Sequence, residues 1–228
     1  MSLPPLHVLT IGLVIFAHLP VAQASDDGPY LSLLGGGNWV ADQNLRQNSL
    51  DFVQMSYDNP LSSGYALELA LGWRRPSGLR PELALSYRKN SLGRFEHRVY
   101  ENGSSITGKG QEAASSLMAN LWYDLPMPDA LSRVKPYLGG GLGYTRLSIA
   151  NLSANGVAFG ATHRDDVQTW QLGAGIVVAL SERWSTSLDY RDLHTRQARF
   201  GEVQGLPNGD VSTRYHARSV LLGIRYVP

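Results

Sequence analysis

Tyr65-Ala66-Leu67-Glu68-Leu69-Ala70-Leu71-Gly72-Trp73-Arg74 alternates without exception, with Tyr65, Leu67, Leu69, Leu71 and Trp73 on one side and Ala66, Glu68, Ala70, Gly72 and Arg74 on the other. A period of two sends successive side chains to opposite faces, so this stretch predicts a strand with one bulky apolar face and one small or charged face. After the turn-forming Arg75-Pro76-Ser77-Gly78, the pattern repeats. Leu79, Leu83, Leu85 and Tyr87 share one face, and Arg80, Glu82, Ala84, Ser86 and Arg88 share the other. The two runs predict a hairpin.

Working outward, the same alternation marks six more strands. They are carried by Leu31, Leu33 and Trp39; Leu117, Ala119, Leu121 and Tyr123; Leu138, Leu142 and Tyr144; Trp170, Leu172, Ala174, Ile176, Val178 and Leu180; Trp184, Leu188 and Tyr190; and Val220, Leu222, Ile224 and Tyr226. Tight turns at Arg75 to Gly78 and Ser181 to Arg183, with a modest link from Pro126 to Arg133, alternate with long connections. Those run from Ala41 to Ser62, Lys89 to Glu112, Ser148 to Asp165 and Leu193 to Thr213. An even number of antiparallel strands with short turns at one end and long loops at the other predicts an all-β, eight-stranded antiparallel up-and-down transmembrane barrel. Both termini are then expected on the periplasmic side.

A soluble eight-stranded barrel also needs alternation and closure, but it must fill its inside with the bulky face and solvate its outside. Here the second face is mostly Gly, Ala and Ser with isolated charges, which suits a narrow polar lumen. Aromatic residues recur near the ends of the bulky face: Trp39, Tyr65, Trp73, Tyr87, Tyr123, Tyr144, Trp170, Trp184, Tyr190 and Tyr226. Such residues at headgroup level form interfacial girdles. Closure follows from backbone chemistry. An unpaired N–H or C=O in hydrocarbon costs several kcal/mol, so the first strand must pair with the last.

The 228 residues carry 20 Lys and Arg against 19 Asp and Glu, a formal charge of +1, so the overall balance supplies no polyanion-binding surface and no nucleic-acid partner is expected. The chain lacks cysteine, which removes disulfides, thiolate metal sites and cysteine nucleophiles. Its first 24 residues read as a cleavable secretory signal, with an apolar run from Val8 to Ala17 followed by Ala22-Gln23-Ala24 and the polar Ser25-Asp26-Asp27. That run is too short to cross roughly 30 Å of hydrocarbon as a helix. The barrel domain is expected over residues 25–228.

Four stretches carry a family resemblance: Tyr30-Leu31-Ser32-Leu33-Leu34-Gly35-Gly36-Gly37, Leu117-Met118-Ala119-Asn120-Leu121-Trp122-Tyr123-Asp124, Lys135-Pro136-Tyr137-Leu138-Gly139-Gly140-Gly141-Leu142-Gly143-Tyr144 and Leu222-Gly223-Ile224-Arg225-Tyr226. The chain resembles the small outer-membrane β-barrel proteins of Gram-negative bacteria, including the transmembrane domain of outer-membrane protein A and the opacity-type and porin-family surface antigens. The resemblance implies residence in the outer membrane, contact with outer-membrane lipid and lipopolysaccharide, and insertion by the barrel-assembly machinery. Relatives finish on an aromatic residue read by that machinery, whereas this chain departs from the pattern and ends Tyr226-Val227-Pro228, so the resemblance leaves that role to Tyr226. The motifs are strand patterns and specify a fold, not site chemistry.

The second face directs Glu68, Arg74, Arg80, Glu82, Arg88, Asp124, Lys135, Asp189, Arg191 and Arg225 toward the axis. In a barrel this narrow side chains fill the lumen. Glu68, Glu82, Arg88, Asp189, Arg191 and Arg225 are therefore expected to form an ion-pair network that plugs it, with a narrow or gated pore for ions or small solutes as the alternative. A lipid A-modifying enzyme is a distant third reading. His216 is expected beside Asp192 near the outer end, but no serine shares that face, since Ser219 has the opposite parity, and the His-x-Ser pattern of barrel lipid A deacylases is missing. His97 and His163 fall in expected loops. Gly139-Gly140-Gly141-Leu142-Gly143 lacks a Walker lysine and reads as barrel glycine. Sequence spacing clusters no His with acidic residues, so no metal, cofactor or catalytic residue is expected. The remaining expectation is a monomeric structural or surface-interaction protein whose loops meet a host or surface ligand.

Overall fold

The computed structural model describes residues 27–41, 44–47, 55–56, 63–92, 96–97, 108–128, 133–154, 157–159, 162–202 and 210–228. The secretory segment expected over residues 1–24 lies outside them. Every regular element among the described residues is a strand. Eight are long: β1 (Gly28–Val40), β2 (Ser63–Arg74), β3 (Leu79–Leu92), β4 (Gly108–Asp124), β5 (Val134–Ala154), β6 (His163–Ala179), β7 (Trp184–Glu202) and β8 (Asp210–Tyr226). Each pairs antiparallel with the next, and β8 returns to β1 from Leu31↔Tyr226 to Val40↔Ala217. The barrel is closed, with up-and-down topology.

Local chemistry sets the turns. Gly78 has φ +82°, a left-handed conformation that glycine adopts without a Cβ penalty, and its N–H donates to the Arg75 carbonyl at 2.9 Å. At the β6–β7 turn, the Leu180 and Ser181 amides both donate to the Trp184 carbonyl. The Ser181 hydroxyl accepts the Trp184 amide in return at 3.1 Å.

At the opposite end the strands run further than hydrophobic alternation predicts. β4 begins at Gly108, β5 continues to Ala154, β6 begins at His163, β7 continues to Glu202 and β8 begins at Asp210. Three of the four long connections are therefore shorter than the sequence reading expects. In these extensions Ser115, Arg146, Arg164, Asp166, Arg196 and Arg214 face outward and are exposed. Ladder hydrogen bonding continues there, but these outward side chains are polar or charged. Arg146 and Asp166 pair across β5 and β6 through two hydrogen bonds of 2.8 and 2.7 Å. Short strands add to this end: Asn44–Gln47 pairs with β8 and with Met55–Ser56, Met55–Ser56 pairs with Glu96–His97, and Val157–Phe159 folds back on β5. His97 and His163 thus lie in strands, not in loops.

The two faces separate as the alternation requires. Leu33, Leu67, Leu71, Leu85, Leu142, Leu172 and Leu222 are all more than half exposed on the outside, Leu142 by 72%. A continuous apolar surface of this kind is not solvated by water and needs acyl chains against it. The ten aromatic residues named above also point outward, in two bands. Trp73, Tyr123, Trp184 and Tyr226 lie near the turn end, while Trp39, Tyr65, Tyr87, Tyr144, Trp170 and Tyr190 lie toward the loop end.

Leu69 sits midway between Tyr65 and Trp73 on the outer face, whereas Ala66 faces inward and is buried. Leu69→Arg is expected to cost about 2 to 4 kcal/mol in equilibrium unfolding from lipid vesicles. Ala66→Ser stays within about 1 kcal/mol of the parent.

Candidate functional site

The interior is a packed polar cage. Toward the turn end, Glu82 accepts hydrogen bonds from Tyr30 Oη (2.9 Å), Trp122 Nε1 (2.8 Å) and Asn120 Nδ2 (3.0 Å). Arg80 Nε donates to Asp124 at 2.8 Å and its Nη1 donates to Tyr30 Oη at 3.2 Å. Arg191 Nη2 donates to Asp189 at 2.7 Å and lies 3.6 Å from Glu68. Both Glu68 oxygens and Arg191 Nε and Nη1 lack a hydrogen-bond partner among the described residues, so the Glu68–Arg191 contact is a loose ion pair. Tyr137 donates to Asp189, and Gln171 Nε2 donates to Asn120 at 2.6 Å.

Guanidiniums also stack on rings. Arg191 lies 3.9 Å from the Trp122 centroid, Arg225 4.5 Å from Tyr30 and Arg80 4.6 Å from Tyr137. Facing a π-surface stabilises a cation that has left water, by about 2 kcal/mol or more where desolvation is strong. Tyr30, Trp122 and Tyr137 also fill the lumen, where the alternation alone points only to small residues and charges. The glycines of that face provide their room. A Cβ at Gly72 would enter the Tyr30 ring, and one at Gly175 would lie 2.7 Å from Tyr137 Cζ.

Of the six residues expected to form the network, the fold joins Glu68, Asp189 and Arg191 directly. Glu82 is held by neutral donors, Arg88 donates to Ser86 at 2.6 Å, and Arg225 donates to Ser32 at 3.2 Å. Arg80 and Asp124 form a separate pair, Arg74 is half-buried, and Lys135 lies exposed at the rim of the inward face. Glu112, missed in the sequence because it lies where outer hydrophobicity has faded, is buried too. Among the described residues the buried charges are therefore four carboxylates (Glu68, Glu82, Glu112, Asp189) and four guanidiniums (Arg80, Arg88, Arg191, Arg225), formally neutral together. Nearer the loop end, Asn38, Asn90, Ser219 and Tyr215 form a neutral hydrogen-bonded layer. Val40, Leu147, Ile149, Val167, Leu193 and Phe200 then close over it as an apolar cluster.

A second constellation lies on the outer wall, just past Tyr190 toward the loops and level with Trp39 and Trp170. Asp192 Oδ1 is 2.6 Å from His216 Nε2, as the sequence level suggested, and 3.3 Å from His194 Nε2. Arg218 Nε is 4.0 Å away. The pairings Trp170↔His194 and His194↔His216 set three rings side by side, stacked with centroids 4.0 and 3.9 Å apart. The expectation that no His and acidic residues cluster needs correcting here: residues far apart in sequence meet because the β7–β8 register aligns them. Ser219 points into the lumen and donates to Asn38 at 2.6 Å, so it supplies no nucleophile to the histidines.

The outer membrane protein beta-barrel domain family model matches residues 9–226. The chain belongs to this family. It is therefore an outer-membrane β-barrel protein, and its exposed apolar band is the part that meets lipid. No curated protein matches the sequence. Among solved structures, OprG of Pseudomonas aeruginosa is similar at 15% identity and TM-score 0.56, covering 91% of this chain and 100% of that one. AlkL, determined in lipid bilayers, is similar at 14% identity and TM-score 0.51, over 94% and 97%. Neisserial surface protein A aligns at 16% identity and TM-score 0.47, over 88% and 99%. Identities this low speak for the shared fold alone.

In this outer-membrane barrel Glu82 ties β1, β3 and β4 together through three donors. Glu82→Ala strands those donors and is expected to lower unfolding stability by about 3 to 5 kcal/mol, and Glu82→Gln by less than half of that. Urea titration of the vesicle-inserted protein measures both.

Proposed function

We propose that the protein is a closed, non-conducting envelope barrel that presents its loop end at the cell surface, as a structural or surface-interaction protein and not an enzyme. The observation that carries this reading is the filling of the lumen. Glu68, Glu82 and Asp189 with the four buried arginines lie beneath a hydrogen-bonded layer and an apolar cluster, and Glu112 sits at the level of that layer and cluster, beside Asn90 and Ile149. An ion entering from the loop end would first lose its hydration against Val40, Leu147, Ile149 and Phe200, and then meet side chains packed across the lumen.

In this reading the first 24 residues are removed on export and both termini are periplasmic, since the first and last strands begin and end at the turn side. The two aromatic bands anchor at the headgroups of the two leaflets. Tyr226 is read by the assembly machinery, the outer wall contacts lipopolysaccharide, and the short strands between residues 44 and 97 form part of a platform for a host or surface ligand. The folded unit is taken as a monomer, because the eight long strands close on one another and leave no edge among them for a second copy.

Single-channel recording in planar bilayers tests the plug. The expected trace is silent or shows only brief, small openings. A steady, large conductance abolished by neutralising Glu68, Asp189 and Arg191 would instead establish a pore.

A further inference from the structure

We infer that Asp192, His194 and His216 form a binding site for a divalent transition-metal ion of the Zn2+ and Cu2+ class on the outer wall of the barrel, at the boundary between the lipid band and the loops. The three donor atoms all lie within 4.8 Å of one another, and both Nε2 atoms converge on a single carboxylate oxygen. Tetrahedral coordination with bonds of about 2.0 to 2.2 Å separates adjacent ligands by roughly 3.3 Å. The His194–Asp192 distance, 3.3 Å, already matches, and the His216–Asp192 hydrogen bond of 2.6 Å has to open by about 0.7 Å to reach the same tetrahedral separation.

The backbone brings the donors together: His194 and His216 are cross-strand partners, so their Cα positions are fixed by the sheet. His194 stacks between Trp170 and His216 with planes 6° and 21° apart, and on binding an ion the two imidazoles have to turn out of this stack so that both Nε2 lone pairs meet at the metal. Two imidazoles and one carboxylate favour zinc, copper or nickel over the hard, oxygen-seeking calcium and magnesium. All three residues are about one quarter exposed, which leaves the remaining coordination positions facing outward, where water or a phosphate of the surrounding lipid layer can fill them. A neighbouring cation opposes the ion. Arg218 Nε, 4.0 Å from Asp192, competes for the carboxylate.

The stacked Trp170 provides a local reporter, because a paramagnetic Cu2+ bound to His194 sits beside its ring. Full-length protein folded in detergent micelles is titrated with CuCl2, following tryptophan emission, and with ZnCl2 by calorimetry. The expected result is saturable binding of one ion. Electron paramagnetic resonance of the copper form should show two nitrogen ligands. His194→Ala and His216→Ala each weaken binding by at least about tenfold. Trp170→Phe removes most of the quenching but keeps the resonance signal. Arg218→Ala tightens binding, which a purely structural role for the cluster would not produce. Heat-modified mobility on gels checks that each variant is folded. The proposal is overturned if zinc or copper binds without saturation, if calcium binds as well as zinc, or if the folded His194→Ala/His216→Ala double variant binds copper like the parent.

Discussion

Backbone hydrogen bonding in a medium without water is the constraint from which the rest of the structure follows. Inside the hydrocarbon each unpaired peptide group costs several kcal/mol, so a sheet that crosses it has to close. β1 and β8, the first and last long strands, meet in an unbroken register from Leu31↔Tyr226 to Val40↔Ala217. Closure in turn fixes the two surfaces. With strands of period two, one set of side chains must meet lipid and the other must fill a cylinder whose width the strand number sets.

The filling of that cylinder is an electrostatic problem. Charges removed from water are tolerated only with partners, and here they have three kinds: opposite charges, neutral donors and aromatic faces. Asp189 takes Arg191 and Tyr137, Glu82 takes two ring-bearing donors and an amide, and Arg225 takes a tyrosine ring and a serine. Such an interior joins strands distant in sequence, which gives the barrel a core even though most of the described leucines are turned outward.

Much of this was legible in the sequence because Tyr65 to Arg74 and its companions alternate so cleanly that strand, face and parity come together. The family-level expectation of an eight-stranded outer-membrane barrel rested on that pattern. Two things were hidden. Trp122, Tyr137, Tyr30 and Tyr215 share the parity of the lumen residues, but the eye follows large side chains to the apolar face, and the gaps left by Gly72, Gly139 and Gly175 explain why Tyr30, Trp122 and Tyr137 fit inside. The strand extensions were hidden for the opposite reason. Past the lipid boundary the outward residues become polar, so the periodic signal stops while the ladder continues. The outer-wall histidines show how far register can be counted. The tight turn at Ser181 to Arg183 implies Trp170 beside His194, whereas β7 and β8 are joined through residues 203–209 and their register shifts twice, at His194/Gln197 and at Arg199/Glu202. The His194–His216 pairing therefore emerges only from the fold.

The sidedness of the strands is the central claim, and nitroxide scanning of positions 66 to 72 in lipid vesicles reads it directly. Collision rates with dissolved oxygen, which concentrates in the bilayer, are predicted to peak at positions 67, 69 and 71 and to fall at 66, 68, 70 and 72. Equal rates along the segment, or peaks at the even positions, would contradict it.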